Sequence, residues 1–171
     1  MASPLDVALL AAAEAGGLLL EYFGKGIAYE AKSKFDPVTE ADRACERLIV
    51  DRLRGAFPEY SIVGEEGGSH DGTGDCCWYI DPLDGTANFA HGFPAFCVSI
   101  ALVRGDQPVA GVLLDPLRGE TFAAEQGAGA TLNGSAIRVS QTASIGESLL
   151  GTVFPAHARA TSGNMYYYQH L

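Results

Sequence analysis

Residues 78–86 read Trp78-Tyr79-Ile80-Asp81-Pro82-Leu83-Asp84-Gly85-Thr86. Three apolar residues followed by two aspartates, three positions apart, are typical of the point where a buried strand ends. Because a residue that precedes proline favours an extended backbone, the Asp81 side chain and the Leu83 carbonyl oxygen can point off the strand end toward one place. We expect Asp84 to lead into a short helix, whose free amides at Gly85 and Thr86 can accept phosphate. The stretch therefore predicts ligands for a hard cation and an anion site within a few residues.

A second acidic pair follows another predicted strand. Glu65 and Glu66 come shortly after the predicted strand 61–63, which contains Ile62 and Val63, so they also lie at a strand exit. If neighbouring strands bring Glu65 beside Asp81, the two carboxylates can hold one magnesium ion, and Asp81 can bridge to a second ion beside Asp84. Two ions about 3.5–4 Å apart would stabilise both the attacking and the leaving oxygen of a phosphoryl transfer. The alternative is that Glu65 and Glu66 are simply solvated.

Thr86 is the candidate for orienting the nucleophile, which we expect to be a water activated by the metal ions. A threonine hydroxyl that donates a hydrogen bond to a carboxylate becomes a better acceptor for the proton of that water. Asp42 is the candidate carboxylate, with Glu65 also within reach. Asp42 can instead serve only as the capping-box acid of its helix, and Asp81 with the following proline can form an ordinary turn. We expect His91 to be a loop or packing residue rather than a general acid.

Helical periodicity dominates the first third of the chain. Ser3 begins a capping box, and apolar residues recur at helical spacing behind it, which predicts a helix over residues 4–22. A short strand is expected at 27–31. Thr39 then caps a second helix, which Pro58 ends.

Short apolar runs bounded by Gly, Pro and Asp follow and are typical of strands. The four residues 104–107 between two runs favour an antiparallel hairpin, and Asn133 with Gly134 marks another tight turn. The arrangement predicts an α+β fold in which helices cover one face of a mainly antiparallel sheet. The predicted strands are residues 61–63, 78–80, 96–103, 109–114 and 121–124.

Composition restricts the classes of function. The chain has 171 residues, of which 47% are hydrophobic, enough for one compact unit. A formal net charge of −10 would repel nucleic acid, and it would also repel a free phosphomonoester unless bound cations neutralised the encounter. No apolar run is long enough to span a bilayer, so we expect no membrane partner. Four cysteines without CxxC spacing favour reduced thiols in the cytoplasm over a disulfide framework or a zinc site.

Three segments occur in order at suitable spacings: Val38-Thr39-Glu40-Ala41-Asp42, Gly64-Glu65-Glu66 and the stretch 78–86. In combination they resemble the inositol monophosphatase family, over a region that extends to about Gly151. The resemblance implies a layered α/β sandwich and a magnesium-dependent phosphatase in which Asp42 supports Thr86 in activating water. Lys32 is similar to the family's lysine near the metal cluster, and Glu66 is a further candidate. The implied metal ligands are Glu65, Asp81, the Leu83 carbonyl and Asp84, and the implied phosphate-binding residues are Asp84, Gly85 and Thr86.

Substrate preference is indicated by the residues after this core. The sequences Ala87-Asn88-Phe89 and His91-Gly92-Phe93-Pro94 are similar to the inositol monophosphatase branch of the family. The resemblance therefore implies a small phosphorylated polyol, with inositol 1-phosphate favoured. A sugar bisphosphate, histidinol phosphate or 3'-phosphoadenosine phosphate remains an alternative.

The carboxyl-terminal end departs from the family pattern, because no Trp-Asp-x-Ala-Ala-Gly motif is present. We therefore expect residues 1–150 to form the amino-terminal metal- and phosphate-binding domain, and residues 151–171 to be the incomplete start of a second α/β layer. The resemblance implies a homodimer, and it implies an exposed apolar sheet face where that second layer is missing. A second class of function stays open, namely a truncated metal-binding or interaction protein with little turnover.

Overall fold

Two long helices and an eight-stranded sheet dominate the computed structural model, which describes residues 2–25, 29–33, 36–149 and 151. The helices are α1 (Pro4–Tyr22), α2 (Glu40–Ala56) and the short α3 (Thr86–Ala90). The strands are β1 (Tyr29–Ser33), β2 (Asp36–Thr39), β3 (Ser61–Gly64), β4 (Ser69–His70), β5 (Cys76–Asp84), β6 (Cys97–Arg104), β7 (Gln107–Asp115), β8 (Glu120–Glu125), β9 (Gly129–Leu132) and β10 (Ser135–Ile137).

Both predicted capping boxes are confirmed. At α1, the Asp6 amide donates to Ser3 Oγ and the Ser3 amide donates to Asp6 Oδ2, each at 3.1 Å. At α2, Thr39 and Asp42 make the same reciprocal pair. Because these bonds satisfy amides that a helix start otherwise leaves without partners, each helix begins where its sequence pattern predicts.

The sheet is antiparallel except at one pair of neighbouring strands. Its order is β10-β9-β8-β7-β6-β5-β3-β4, and β3 runs parallel to β5, with Gly64 opposite Ile80. The next residues along the two strands are Glu65 and Asp81. The parallel pairing therefore places both predicted carboxylates side by side, towards the carboxyl ends of these two strands.

The two long helices pack on one face of this sheet, which confirms the α+β prediction. Helix α1 lies against β6, β7 and β8, and α2 lies against β5. Alternate strand residues on this face are buried, as the period of two along a strand requires. Well-buried examples are Trp78, Val98, Ile100, Leu102 and Val112.

The opposite face of the sheet carries apolar side chains that are partly exposed. Strand register places on this face five large residues with exposures between 38% and 48%, namely Val63, Tyr79, Leu113, Phe122 and Ile137. An open pocket of about 330 Å³ lies among Leu113, Phe122 and Ile137. A contiguous apolar face of this kind favours association with other surfaces.

Three features differ from the sequence predictions. The strand predicted at 27–31 is observed as β1 (Tyr29–Ser33), and residues 26–28 lie outside the described part of the chain. It pairs with β2, a strand that contains Asp36 and Pro37 and that was not among the predicted strands. Strand β5 continues through Asp84 instead of ending near Ile80, because a register shift between Asp81 and Asp84 lets the strand bend without leaving the sheet.

The tight turn predicted at Asn133 and Gly134 is confirmed. Both residues have positive φ, 49° and 78°, which is the geometry of a two-residue hairpin turn between β9 and β10. Of the predicted second segment, 151–171, only Gly151 lies among the described residues. No helix in the described ranges combines the length and the apolar character needed to cross a membrane.

Candidate active site

Asp42 uses its two carboxylate oxygens for different purposes. Oδ2 accepts the Thr39 amide at 2.8 Å and also the Thr39 hydroxyl, which completes the cap of α2. Oδ1 accepts the hydroxyl of Thr86 at 3.0 Å, 44 positions along the chain. Only 1% of Asp42 is exposed. Asp42 therefore both caps α2 and accepts the hydroxyl of Thr86, so the two interpretations that the sequence offered are compatible.

The Thr86 hydroxyl lies between two acceptors. Its oxygen is 3.0 Å from Asp42 Oδ1 and 3.0 Å from the Leu83 carbonyl oxygen. A hydroxyl carries one proton, and an ionised carboxylate is the stronger acceptor, so the proton is best donated to Asp42. The hydroxyl oxygen keeps lone pairs that can accept a hydrogen bond from a water or substrate group.

Gly85 makes the connection between β5 and α3 possible. Its φ of 95° lies in the left-handed region, and a Cβ at this position would be 2.8 Å from the Ala95 carbonyl oxygen. Both the backbone angle and the lack of space require glycine. Helix α3 begins directly afterwards at Thr86, as predicted, so the first-turn amides of α3 lie beside Asp84.

Asp81 is half-buried among other acids. Its Oδ1 accepts the Leu83 amide at 3.1 Å, and the Glu65 side chain lies within hydrogen-bonding reach of its carboxyl group. Burial raises the pKa of Asp81 above its ordinary value; the negative charges of Asp84 and Asp42 add to the rise, while the hydrogen bonds to Glu65 and Leu83 oppose it. A bound cation would relieve this crowding of negative charge.

The donor atoms around Asp81 fit a hard cation. Carboxylate and carbonyl oxygens are the ligands that Mg²⁺ prefers, and Glu65 and Asp81 line one open pocket of about 250 Å³. In the part of the chain that the structure describes, no three His, Cys, Asp or Glu side chains are grouped as a ready metal site. The predicted ligands come together in pairs instead, Glu65 with Asp81 and Asp81 with Asp84.

The remaining predicted residues are placed as follows. Lys32 lies in β1, and its side chain is outside the described part of the structure. Glu66 is partly buried next to Glu65, and its amide donates to Glu46 at 2.7 Å. His91 is the residue that caps the end of α3. The geometry thus joins Asp42 to Thr86 and Glu65 to Asp81.

Two residues near the site were not singled out from the sequence. The Cys97 thiol lies 3.8 Å from Asp84 Oδ2, and burial with the nearby Asp84 charge raises its pKa to about 11, so it stays protonated. Glu46 is buried on α2 and contacts the loop after β3. Its position four residues after Asp42, between apolar positions of the helix, was the available signal.

Comparisons with known proteins identify one family. The profile of the inositol monophosphatase family matches residues 1–170. The Nus factor SuhB of Pseudomonas aeruginosa is 48% identical over 156 residues, covering 88% of this chain and 58% of that protein. The inositol monophosphatase 2 of Solanum lycopersicum is 44% identical over 153 residues, covering 86% of this chain and 58% of that protein.

Solved structures give the same result. The Thermotoga maritima IMPase superposes with a TM-score of 0.75 at 44% identity, covering 82% of this chain and 55% of that one. The extragenic suppressor protein suhB of Bartonella henselae gives a TM-score of 0.77 at 39% identity, covering 80% of this chain and 54% of that one. The chain spans a little over half the length of these relatives. The chain belongs to the inositol monophosphatase family.

Proposed function

We propose that this protein hydrolyses a phosphate monoester in a magnesium-dependent reaction, with inositol 1-phosphate as the favoured substrate. The observation that carries the proposal is the Thr86 hydroxyl, which is held 3.0 Å from the buried Asp42 carboxylate beside the acidic cluster of Asp81. A hydroxyl polarised in this way is suited to orient an attacking water.

Magnesium would be held by Glu65, Asp81, the Leu83 carbonyl oxygen and Asp84. When bound, it supplies the positive charge that a phosphoryl group needs and promotes the ionisation of the attacking water near neutral pH. Lys32 and Glu66 are further candidates near this cluster. The net charge of −10 makes such a local positive centre necessary for any anionic substrate.

The protein's own groups would orient the reactants. Thr86 would accept a hydrogen bond from the attacking water while donating its own proton to Asp42. The backbone amides at Gly85 and Thr86, at the start of α3, would bind phosphate oxygens next to Asp84. Residues 1–150 would thus act as the metal- and phosphate-binding domain of the protein.

The substrate class is supported by relatives named inositol monophosphatase, and by the similarity of residues 87–94 to that branch of the family. We propose a cytoplasmic protein that acts on a small phosphorylated polyol and that forms a homodimer. Other relatives are named Nus factor SuhB. For this chain, the net charge of −10 argues against direct contact with nucleic acid.

The proposal is tested by magnesium-dependent phosphate release from inositol 1-phosphate by the 171-residue chain. Asp81→Asn should abolish release. Asp106→Asn, an exposed aspartate in the β6–β7 turn, is the matched control and should leave release unchanged. A folded wild-type chain that neither binds Mg²⁺ nor releases phosphate would contradict the proposal.

The alternative is a metal-binding or interaction protein with little turnover. The exposed apolar sheet face that includes Tyr79, Leu113 and Phe122 favours this alternative. Mg²⁺ binding that is lost in Asp81→Asn, together with no phosphate release from any of the candidate substrates, would support it over the hydrolase.

A further inference from the structure

Glu46 is a buried carboxylate that serves the loop after β3. It lies on α2 and is only 5% exposed. Its Oε2 accepts the Glu66 amide at 2.7 Å, and its Oε1 accepts the Gly67 amide. A buried charge is stable only when it is well paired, and two backbone amides supply that pairing here. The loop and the helix therefore depend on each other for hydrogen bonding.

The loop is shaped around this carboxylate. A Cβ added at Gly64 would lie 2.6 Å from Glu46 Oε2, and one added at Gly67 would lie 2.5 Å from Oε1. The Gly64 amide donates to the Gly68 carbonyl oxygen at 2.9 Å, which closes the loop. Glycines thus stand on both sides of Glu65 and Glu66 where any larger residue would displace the Glu46 carboxylate.

Glu46 and Asp42 are four residues apart on α2, so both project from the same side of the helix. Like charges at this spacing destabilise a helix. Each is nevertheless buried and accepts hydrogen bonds from a different part of the site, Asp42 from Thr86 and Glu46 from the loop of Glu65. One helix turn therefore sets the positions of both halves of the site.

We propose that Glu46 is a positioning residue that holds the 64–68 loop so that the Glu65 carboxylate meets Asp81. Glu46 contacts neither substrate nor metal in this role, and it acts through the backbone of Glu66 and Gly67. The inference rests on the proposed function, because it assigns a purpose to the position of Glu65 at a cation site.

The first test is Glu46→Gln, with Asp51→Asn as the matched control on the exposed side of the same helix. Glutamine keeps the size but replaces one acceptor oxygen by an NH₂ group, which cannot accept the second amide. The affinity for Mn²⁺, measured by electron paramagnetic resonance, should fall by about 10- to 100-fold in Glu46→Gln, as expected when a residue that orients a metal ligand is lost. Asp51→Asn should bind as the wild type does.

A second readout needs no metal. The backbone amide proton resonances of Glu66 and Gly67 should move upfield in Glu46→Gln, because a charge-assisted hydrogen bond is lost. If Glu46→Gln fails to fold, Gly67→Ala crowds the same carboxylate from the loop side and should weaken Mn²⁺ binding similarly. Gly55→Ala, with no atom within 4 Å of the added Cβ, is its control.

The outcomes separate this role from the proposed function. Equal Mn²⁺ affinity in folded wild-type and Glu46→Gln chains would overturn the positioning role, whatever the change in stability. If Glu46→Gln binds Mn²⁺ more weakly than the wild type and the wild type releases no phosphate, the result would support the positioning role and contradict only the hydrolase proposal. A wild-type chain that binds no Mn²⁺ would overturn both.

Discussion

Replacing Thr86 by valine removes one hydroxyl with almost no change in side-chain volume. The buried Asp42 then loses the donor that lies 3.0 Å from its Oδ1. A hydrogen bond to a charged group contributes about 1.5–3 kcal/mol to stability. With a urea m value of about 2 kcal/mol/M, the unfolding midpoint should fall by about 1 M. If Thr86 orients the attacking water, phosphate release should fall by about 10²- to 10⁴-fold as well.

The assay compares Thr86→Val with Thr86→Ser, which keeps the hydroxyl. Urea unfolding followed by tryptophan fluorescence reports on the single, fully buried Trp78 of β5, and phosphate release is measured on samples shown to be folded. Serine should recover most of the stability and activity. An unchanged midpoint in Thr86→Val would refute the hydrogen bond to Asp42, and near wild-type release would refute the catalytic role of the hydroxyl.

Two further predictions concern charge and exposed apolar surface. Without metal at pH 7, Asp81→Asn should unfold at a higher urea concentration than the wild type, because a raised pKa means that ionising Asp81 disfavours the folded state. The wild type should lose this stability as the pH rises from about 4 through the pKa of Asp81 in the folded state. Added Mg²⁺ should stabilise only the wild type. A metal-free Asp81→Asn chain that unfolds at a lower urea concentration than the wild type at pH 7 would contradict the raised pKa of Asp81. Leu113→Lys with Phe122→Lys should reduce self-association in light scattering while changing the unfolding midpoint little, since both side chains are at least 38% exposed. A large fall in the midpoint would show that these residues are part of the core.

The helices were predictable because their signals are local. The capping boxes at Ser3 and Thr39 and the apolar spacing behind them lie within a few residues of each other, and both helix starts agree with them. Strand β2 and its pairing with β1 were not predicted, because Asp36-Pro37 has the composition of a turn and its place in a strand depends on pairing with Ala31 and Ser33. Short strands such as β4 carry too few residues to show a period.

The candidate residues of the site could be identified from the sequence, but the long-range contacts between them could not. The sequence indicated Asp42 and Thr86 as candidates, but it could not decide between helix cap and site partner, because the deciding hydrogen bond spans 44 positions. Glu46 was missed for a related reason. A charged residue on a helix usually faces solvent, and nothing local to Glu46 shows that the amides of Glu66 and Gly67 lie over it.

The Asp81 carboxylate that suits the proposed site to a cation opposes folding when no cation is bound. Burial, followed by the negative charges of Asp84 and Asp42, raises the pKa of Asp81, so ionising this carboxyl group at neutral pH disfavours the folded state when no cation is bound. A cation that binds the folded chain alone stabilises it by about 2.7 kcal/mol when its concentration is 100 times its dissociation constant. In the proposed cation site, stability and function would therefore be coupled through the metal. Asp42 accepts a hydrogen bond from Thr86, and Glu46 accepts two from the loop after β3, both from one buried turn of α2. We therefore expect the acids to stay close together when no ion is bound.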